Sequence, residues 1–346
     1  MKDEISGNGR LVAIYDFLLE EKKMFTDQHL APREANFTAL TPLDFLDRAI
    51  EINADRPAVA WRGNIWNYRE FGEQVARMIH WLKDSGIKKG DVVSTILTNR
   101  PELLVAHYAV PAIGAVLNTI NFRLDTDDIK FILNHSESRL LIGDKNTLNG
   151  LPHTLVPTAC LCSSYETTDG LNFFHGEKIP FSFRSAISDE LLPISLSYTS
   201  GTTGHPKGVV YNHRGAYLNA IGNLLALGFN SNTRYLWTLP MFHCNGWTHS
   251  WAVTAGGGLH VCLDEVNPEQ IIQMISDHQV SHMCCAPVVL YMLLNYMTDP
   301  TNVRVKVGTG GAAPTATLIA GLEALGFDLM HLYGLTECYG PATFND

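Results

Sequence analysis

The chain has 346 residues, room for one large α/β domain or two packed units, with 46% hydrophobic and 17% charged side chains, an ordinary globular composition. A formal net charge of −10 argues against nonspecific nucleic-acid binding, and no basic tract argues for it. The seven cysteines (Cys160, Cys162, Cys244, Cys262, Cys284, Cys285 and Cys338) have no zinc-like spacing, and their odd number predicts free thiols in a reducing compartment.

The opening Met1-Lys2-Asp3-Glu4 lacks the apolar core of a signal peptide, and no apolar run reaches membrane-spanning length. The closing Phe344-Asn345-Asp346 is not a peroxisomal address. A cytoplasmic location and no integral-membrane association are therefore expected.

Residues 1–35 read as a peripheral arm with a short amphipathic helix over 11–25. Thr41-Pro42-Leu43-Asp44 opens a helix to about residue 53, with Thr41 as its cap. Strand-like runs at 58–61 and 65–68 flank Arg62-Gly63-Asn64 as a hairpin, and 68–85 has helical core spacing. From Gly90 strands and helices alternate: strands at 91–96, 115–118 and 140–142, helices at 101–113 and 126–134. Residues 144–190 are irregular, with room for one short strand.

The alternation then resumes. Helices are expected at 213–227, 245–253, 268–277, 287–296 and 315–325. Strands are expected at 194–198, 209–211, 235–238, 259–261, 281–283, 303–307 and 328–331. This order predicts an α/β fold with a largely parallel sheet and helices on its faces.

Tyr198-Thr199-Ser200-Gly201-Thr202-Thr203-Gly204-His205-Pro206-Lys207-Gly208 joins two of those strands. Its glycines permit tight backbone turns and bare N–H groups, its hydroxyls add donors, and Lys207 adds charge. That set suits a polyphosphate. A Walker loop is excluded by order, since its lysine is followed by Ser or Thr and a helix. A plain linker would not explain Pro-Lys-Gly wedged between two apolar runs.

Three further stretches stand at expected carboxyl ends of strands, where ligands gather in open α/β sheets. Met241-Phe242-His243-Cys244-Asn245-Gly246-Trp247 offers His243 and Trp247 to a ligand, or else forms a packed aromatic turn. Gly308-Thr309-Gly310-Gly311-Ala312-Ala313-Pro314 would let a flat ring lie on the backbone, or is a tight turn only. Tyr333-Gly334-Leu335-Thr336-Glu337 puts a carboxylate near polyphosphate, which a Mg²⁺ between them would reconcile. Its bland alternative is a surface helix start.

In this order the four stretches resemble the signature motifs of the adenylate-forming (AMP-binding) superfamily of acyl- and aryl-CoA synthetases. The resemblance covers roughly 35–343, with weaker matches at Asp55-Arg56-Pro57-Ala58-Val59, Trp66-Asn67-Tyr68 and Gly90-Asp91-Val92-Val93. It implies the large N-terminal domain of such an enzyme, in layered, mostly parallel sheets, with 36–190 and 191–346 as two α/β subdomains.

It implies ATP on Thr199, Ser200, Gly201, Thr202, Thr203, Gly204 and Lys207, with adenine against Gly310, Gly311, Ala312, Ala313, Pro314, Tyr333 and Gly334. It implies that Thr336 contacts phosphate and Glu337 binds Mg²⁺. His243, Asn245, Gly246, Trp247 and Trp251 would form the acid pocket, with His243, Thr336 and Glu337 as the catalytic set. "FHCNGW" looks like the short- to medium-chain acyl-CoA branch. The expected activity is acid–thiol ligation, with coenzyme A as co-substrate, a fatty acid as substrate and a homodimer as a further partner expectation.

The chain stops soon after Pro341-Ala342-Thr343, whereas complete members continue into a lid domain carrying a second lysine. The expectation is a chain without that domain. It would hold the ATP and acid sites but be impaired in turnover, or be a nucleotide-binding relic or one piece of a split ligase.

Overall fold

The computed structural model describes residues 31, 33, 35–151, 156–161, 187–199 and 206–345. The chain divides into two compact units, Met1–Ala39 and Leu40–Asp346. In the first, the Arg33 N–H donates to Asn36 Oδ1 at 2.7 Å, closing a turn. The expected helix over 11–25 lies outside the described residues.

The second unit holds two sheets. Helix α1 (Leu43–Asn53) buries Leu43, Phe45, Leu46 and Ala49. It starts at Leu43, with the Leu43 N–H on Thr41 Oγ1 at 3.3 Å. Strands β1 (Pro57–Trp61) and β2 (Asn64–Asn67) form the expected hairpin. Arg62 and Gly63 both take positive φ, 46° and 79°, the hand that two-residue hairpin turns require. Helix α2 (Tyr68–Asp84) opens with a reciprocal capping box between Asn67 and Glu70.

Strand β3 (Val92–Ile96), helix α3 (Pro101–Ala112), strand β4 (Val116–Thr119), helix α4 (Thr126–His135) and strand β5 (Ser138–Asp144) follow. Asp125, not Thr126, caps α4, accepting from the Asp127 and Asp128 N–H groups. Every residue of α3 is buried, as a helix apolar on all sides must be. Strands β6 (Thr158–Leu161), β7 (Pro193–Thr199) and β8 (Lys207–Asn212) complete one sheet, ordered β6-β5-β3-β4-β7-β8.

After helix α5 (His213–Leu227) come β9 (Arg234–Leu236), α6 (His249–Ala255), β10 (Leu259–Val261), α7 (Pro268–His278), β11 (His282–Cys285) and α8 (Pro287–Tyr296). Then β12 (Val305–Gly310), α9 (Ala316–Ala324), β13 (Phe327–Leu335) and β14 (Gly340–Asn345) complete the second sheet. Its order is β14-β13-β12-β11-β9-β10-β1-β2. Among the described residues the antiparallel pairs are β1–β2, β7–β8 and β13–β14; the rest are parallel.

The chain does not divide between its sheets at 190/191. Strands β7 and β8 close the first sheet, with Leu117 opposite Ser195. Strand β1 lies in the second, pairing in parallel with β10. Burial decides this: a single apolar cluster joins Val93, Leu117 and Ile194 of one sheet to Val59, Tyr235 and Trp237 around the other. Each such side chain contributes about 1.5–3 kcal/mol on burial, and that gain outweighs sequence adjacency. Strand β14 was not foreseen; Pro and Gly open it, and it pairs with β13 as an antiparallel return.

Five buried histidines are held neutral. Burial lowers His107, His213 and His282 to a pKa of about 4. His249 and His260 fall to about 3, chiefly through burial and then through neighbouring histidines. Their hydrogen bonds suit the neutral ring: His260 Nδ1 accepts from Trp237 Nε1 at 3.2 Å, and His107 Nδ1–H donates to the Leu103 carbonyl at 2.6 Å. The unfolded chain takes up protons at these rings near pH 6.5, and the folded chain does not.

Stability is therefore full above pH 6.5 and is lost as pH falls from there toward 4, by up to about 1.4 kcal/mol per pH unit per histidine. Urea unfolding followed by tryptophan fluorescence should show a steady midpoint from pH 7 to 8 and a falling one from 6.5 to 5. A flat midpoint down to pH 5 would contradict this account.

Candidate active site

A cleft of about 680 Å³ opens where strand ends of both sheets meet. Strand β7 delivers Thr199 and strand β8 delivers Lys207, directly opposite each other in register. The lysine thus leads into a strand, as its Pro-Lys-Gly context implied. Lys207 is exposed to the cleft and forms no ion pair among the described residues. Ser200, Gly201, Thr202, Thr203 and Gly204 lie outside the described residues.

Strand β12 ends at Gly310, and Gly310 and Gly311 line the cleft. Ala312 and Ala313 are exposed and Pro314 is half-buried; they lead to Thr315, which caps α9, and do not face the cleft. On β13, Leu332 and Gly334 line the cleft, whereas Tyr333 between them is 58% exposed and does not. The turn Thr336–Cys338 then carries Thr336 and Glu337 to the cleft wall.

The wall bearing His243 is held by hydrogen bonds from distant segments. Asn99, at the end of the run containing β3, donates from Nδ2 to the Trp237 and Leu239 carbonyls at 2.7 and 2.9 Å. Its Oδ1 accepts the Met241 N–H at 2.8 Å. Thr119 Oγ1 donates to the Phe242 carbonyl at 2.9 Å. Residues 244–248 then all take positive φ, between 47° and 62°.

Helix α6 accordingly starts at His249 and not at Asn245. Left-handed backbone costs about 1–2 kcal/mol per non-glycine residue. Asn223 offsets part of that cost, its Nδ2 donating to the Trp247 carbonyl at 3.0 Å and to Thr248 Oγ1 at 3.1 Å.

The turn presents His243 and Trp247 to the cleft. The His243 side chain reaches the cleft, and desolvation by the surrounding protein lowers its imidazole pKa, which favours the neutral ring. The Trp247 indole, 9% exposed, fits between two glycines. A Cβ on Gly310 would stand 2.9 Å from it, and one on Gly340 3.2 Å.

Asn245, Gly246 and Trp251 do not line the cleft. Asn245 is fully buried and bonded to Ser195 and Tyr339. Gly246 packs against Trp237, and Trp251 donates its indole N–H to the His107 carbonyl at 3.2 Å.

A second cavity of about 230 Å³ adjoins, sharing Asn121, Thr199, Phe242, His243, Cys244 and Thr336 with the first. Sequence reasoning missed Asn121 and Arg123, which line the cleft just past β4. The strand-end rule could have found them, since they follow a strand as the other motifs do. Arg123 and Lys207 make the cleft receptive to an anion. Glu337 is exposed on its wall, with no ion pair among the described residues. Among the described residues no cluster of three metal-ligating side chains occurs there. A lone carboxylate of this kind suits Mg²⁺, which keeps water and phosphate oxygens as its other ligands.

The family model described as AMP-binding enzyme matches residues 46–346. The chain belongs to the AMP-binding enzyme family.

Among curated members it is 40% identical over 339 residues to the peroxisomal butyrate–CoA ligase AAE11 of Arabidopsis thaliana, covering 90% of this chain and 59% of that protein. It is 38% identical over 336 residues to the peroxisomal trans-cinnamate:CoA ligase of Petunia hybrida, covering 88% and 59%. The chain thus spans about three fifths of the length of these AMP-binding relatives.

Among solved structures the fold matches O-succinylbenzoate coenzyme A synthetase (MenE) from Bacillus subtilis in complex with ATP and magnesium ion. The TM-score is 0.76 at 24% identity, over 87% of this chain and 62% of that one. It also matches the N-terminal subdomain of Klebsiella oxytoca NpsA in complex with 3-hydroxyanthranilyl-AMSN. There the TM-score is 0.72 at 21% identity, over 89% of this chain and 77% of that one.

Asn99→Ala should cost about 3 kcal/mol of stability, since it leaves two carbonyls and one N–H buried without partners. Hydrogen exchange should quicken at Trp237–His243 more than in β5. A loss under 1 kcal/mol in urea unfolding would show that the segment holds itself.

Proposed function

We propose that the cleft binds ATP and a small carboxylic acid, joins them as an acyl adenylate, and hands the acyl group to coenzyme A. One observation carries this reading. A single cleft gathers Thr199 and Lys207, Gly310 and Gly311, Thr336 and Glu337, and His243 and Trp247. The curated relatives named above as CoA ligases support the thiol acceptor.

In the first half-reaction a carboxylate oxygen attacks the α-phosphorus of ATP, and the bond to the bridging oxygen breaks, releasing pyrophosphate. In the second the coenzyme A thiolate attacks the acyl carbon and AMP leaves. The first step brings two anions together, so positioning and charge neutralisation carry the catalysis. Lys207 meets the β- and γ-phosphates. Glu337, with Thr336 beside it, would hold Mg²⁺, which when bound neutralises phosphate charge. Neutral His243 donates one N–H to the entering carboxylate and so orients it.

We read the acid as a fatty acid of short to medium length. Butyrate and 2-methylpropanoate appear in relatives' names, as do the ring acids benzoate and trans-cinnamate. A cytoplasmic location and a homodimer belong to the same proposal. No described helix is long and apolar enough to cross a membrane. Fractionation and sedimentation of the protein decide these two points.

Calorimetry should show Mg·ATP binding that Lys207→Ala weakens about tenfold, the loss of one charge-assisted contact. Glu337→Gln should remove the Mg²⁺ dependence of ATP binding. His243→Ala should keep ATP affinity within about twofold while abolishing any butyrate-dependent pyrophosphate release. Release with butyrate or benzoate supports a working ligase, and ATP binding without it supports a nucleotide-binding relic. A chain that binds no ATP overturns both.

A further inference from the structure

Asn245 sits in a motif facing the cleft, yet its side chain turns away from it into a buried polar cluster. Ser195 Oγ donates to Asn245 Oδ1 at 2.6 Å, and the Tyr339 hydroxyl donates to the same oxygen at 3.0 Å. The two hydroxyls lie 3.0 Å apart. Asn245 Nδ2 reaches His107 Nε2 at 3.4 Å. That nitrogen is the acceptor, because Nδ1–H is committed to the Leu103 carbonyl.

Tyr339 is buried and follows the Thr336–Cys338 turn with φ of 67°. Its ring stacks on Tyr211, with centroids 3.5 Å apart and planes 7° apart. The Tyr211 hydroxyl donates to the Thr336 carbonyl at 2.6 Å. The turn bearing Thr336 and Glu337 is thus held at its start by Tyr211 and at its end by Tyr339. Through Asn245, Tyr339 is bonded to the strained turn bearing His243 and Trp247. Ser195, on β7 four residues before Thr199, ties both to the phosphate-loop strand.

We infer that Asn245, Ser195 and Tyr339 are positioning residues that set the separation of the acid-side wall from the phosphate-side turn. This rests on the adenylate-forming reading above. None of the three lines the cleft. At their shared oxygen three site segments, 195–199, 243–247 and 336–340, meet through side chains. A ligand that spans both walls feels the separation, and a ligand on one wall does not.

The test compares two probes on the whole chain by calorimetry: Mg·ATP, and butyryl-sulfamoyladenosine, a stable mimic of an acyl adenylate. Tyr339→Phe keeps the ring stack and removes only the hydroxyl. It should weaken the mimic about tenfold and leave Mg·ATP within about twofold. Ser195→Ala, a second mild variant, should show the same ordering with a smaller loss. Tyr211→Phe, acting on the turn itself, should weaken both probes.

Equal losses of both probes in Tyr339→Phe, or no loss of either, would overturn the positioning role and leave the proposed function standing. A wild-type chain that binds Mg·ATP but not the mimic overturns the acid half of that function, and this role with it. A wild-type chain that binds neither overturns the whole reading.

Discussion

One buried amide joins the strand ends of the two sheets. Asn99 makes three hydrogen bonds with the backbone of Trp237–Met241, donating two and accepting one, and its own backbone bridges to Leu263. It thereby binds the carboxyl end of β3 in one sheet to the carboxyl ends of β9 and β10 in the other. Its neighbour Arg100 grips Glu102 through two bonds of 2.8 and 2.7 Å and Asp144 through one of 3.0 Å. The same guanidinium lies over the Trp61 ring of β1, 5.2 Å from its centroid.

A buried ion group of this kind adds little net stability, because desolvation offsets most of the attraction. What it supplies is a single arrangement, since losing one partner strands the other's charge. The cleft exists because these groups fix how the two sets of strand ends face each other.

Strain is spent where the site needs it. Five consecutive left-handed residues, with Gly246 alone free of the Cβ penalty, turn the chain back on itself between Phe242 and His249. The surrounding structure over-determines the turn through Asn99, Thr119, Asn223 and Ser195. Backbone held in this way is characteristic of sites whose geometry must be ready before the ligand arrives.

The contrast explains which parts were legible in the sequence. Alternating strands and helices, the hairpin at Arg62-Gly63 and the strand after Lys207 follow from local periodicity and turn chemistry, and all appear at or near their expected places. The periodicity predicts a helix from residue 245, because nothing local forbids one there. The conformation of the turn at 244–248 is set by side chains as distant in sequence as Asn99 and Ser195. The same holds for the sheets: β1 and β7 chose partners by burial across the core, which periodicity does not encode.

At the site, motif position found Thr199, Lys207, His243, Trp247, Gly310, Gly311, Gly334, Thr336 and Glu337 on the cleft wall. It could not tell that Tyr333 stays off the cleft wall, or that Asn245 points inward. Facing is a tertiary property even when identity is a local one.

The glycines show how far that distinction reaches. In the sequence, Gly310 reads as room for an adenine ring. In the structure the space above its Cα is already held by the Trp247 indole, which also leans on Gly340. Three segments far apart in the chain are therefore mutually conditional: an indole can close the cleft at this depth only if both positions lack a Cβ. Because the indole's own backbone is held left-handed and its carbonyl is tied to Asn223, the wall cannot retreat by simple rotation. The depth of the cleft beside His243 is thus a product of packing, settled by two missing methyl groups and one immobilised ring.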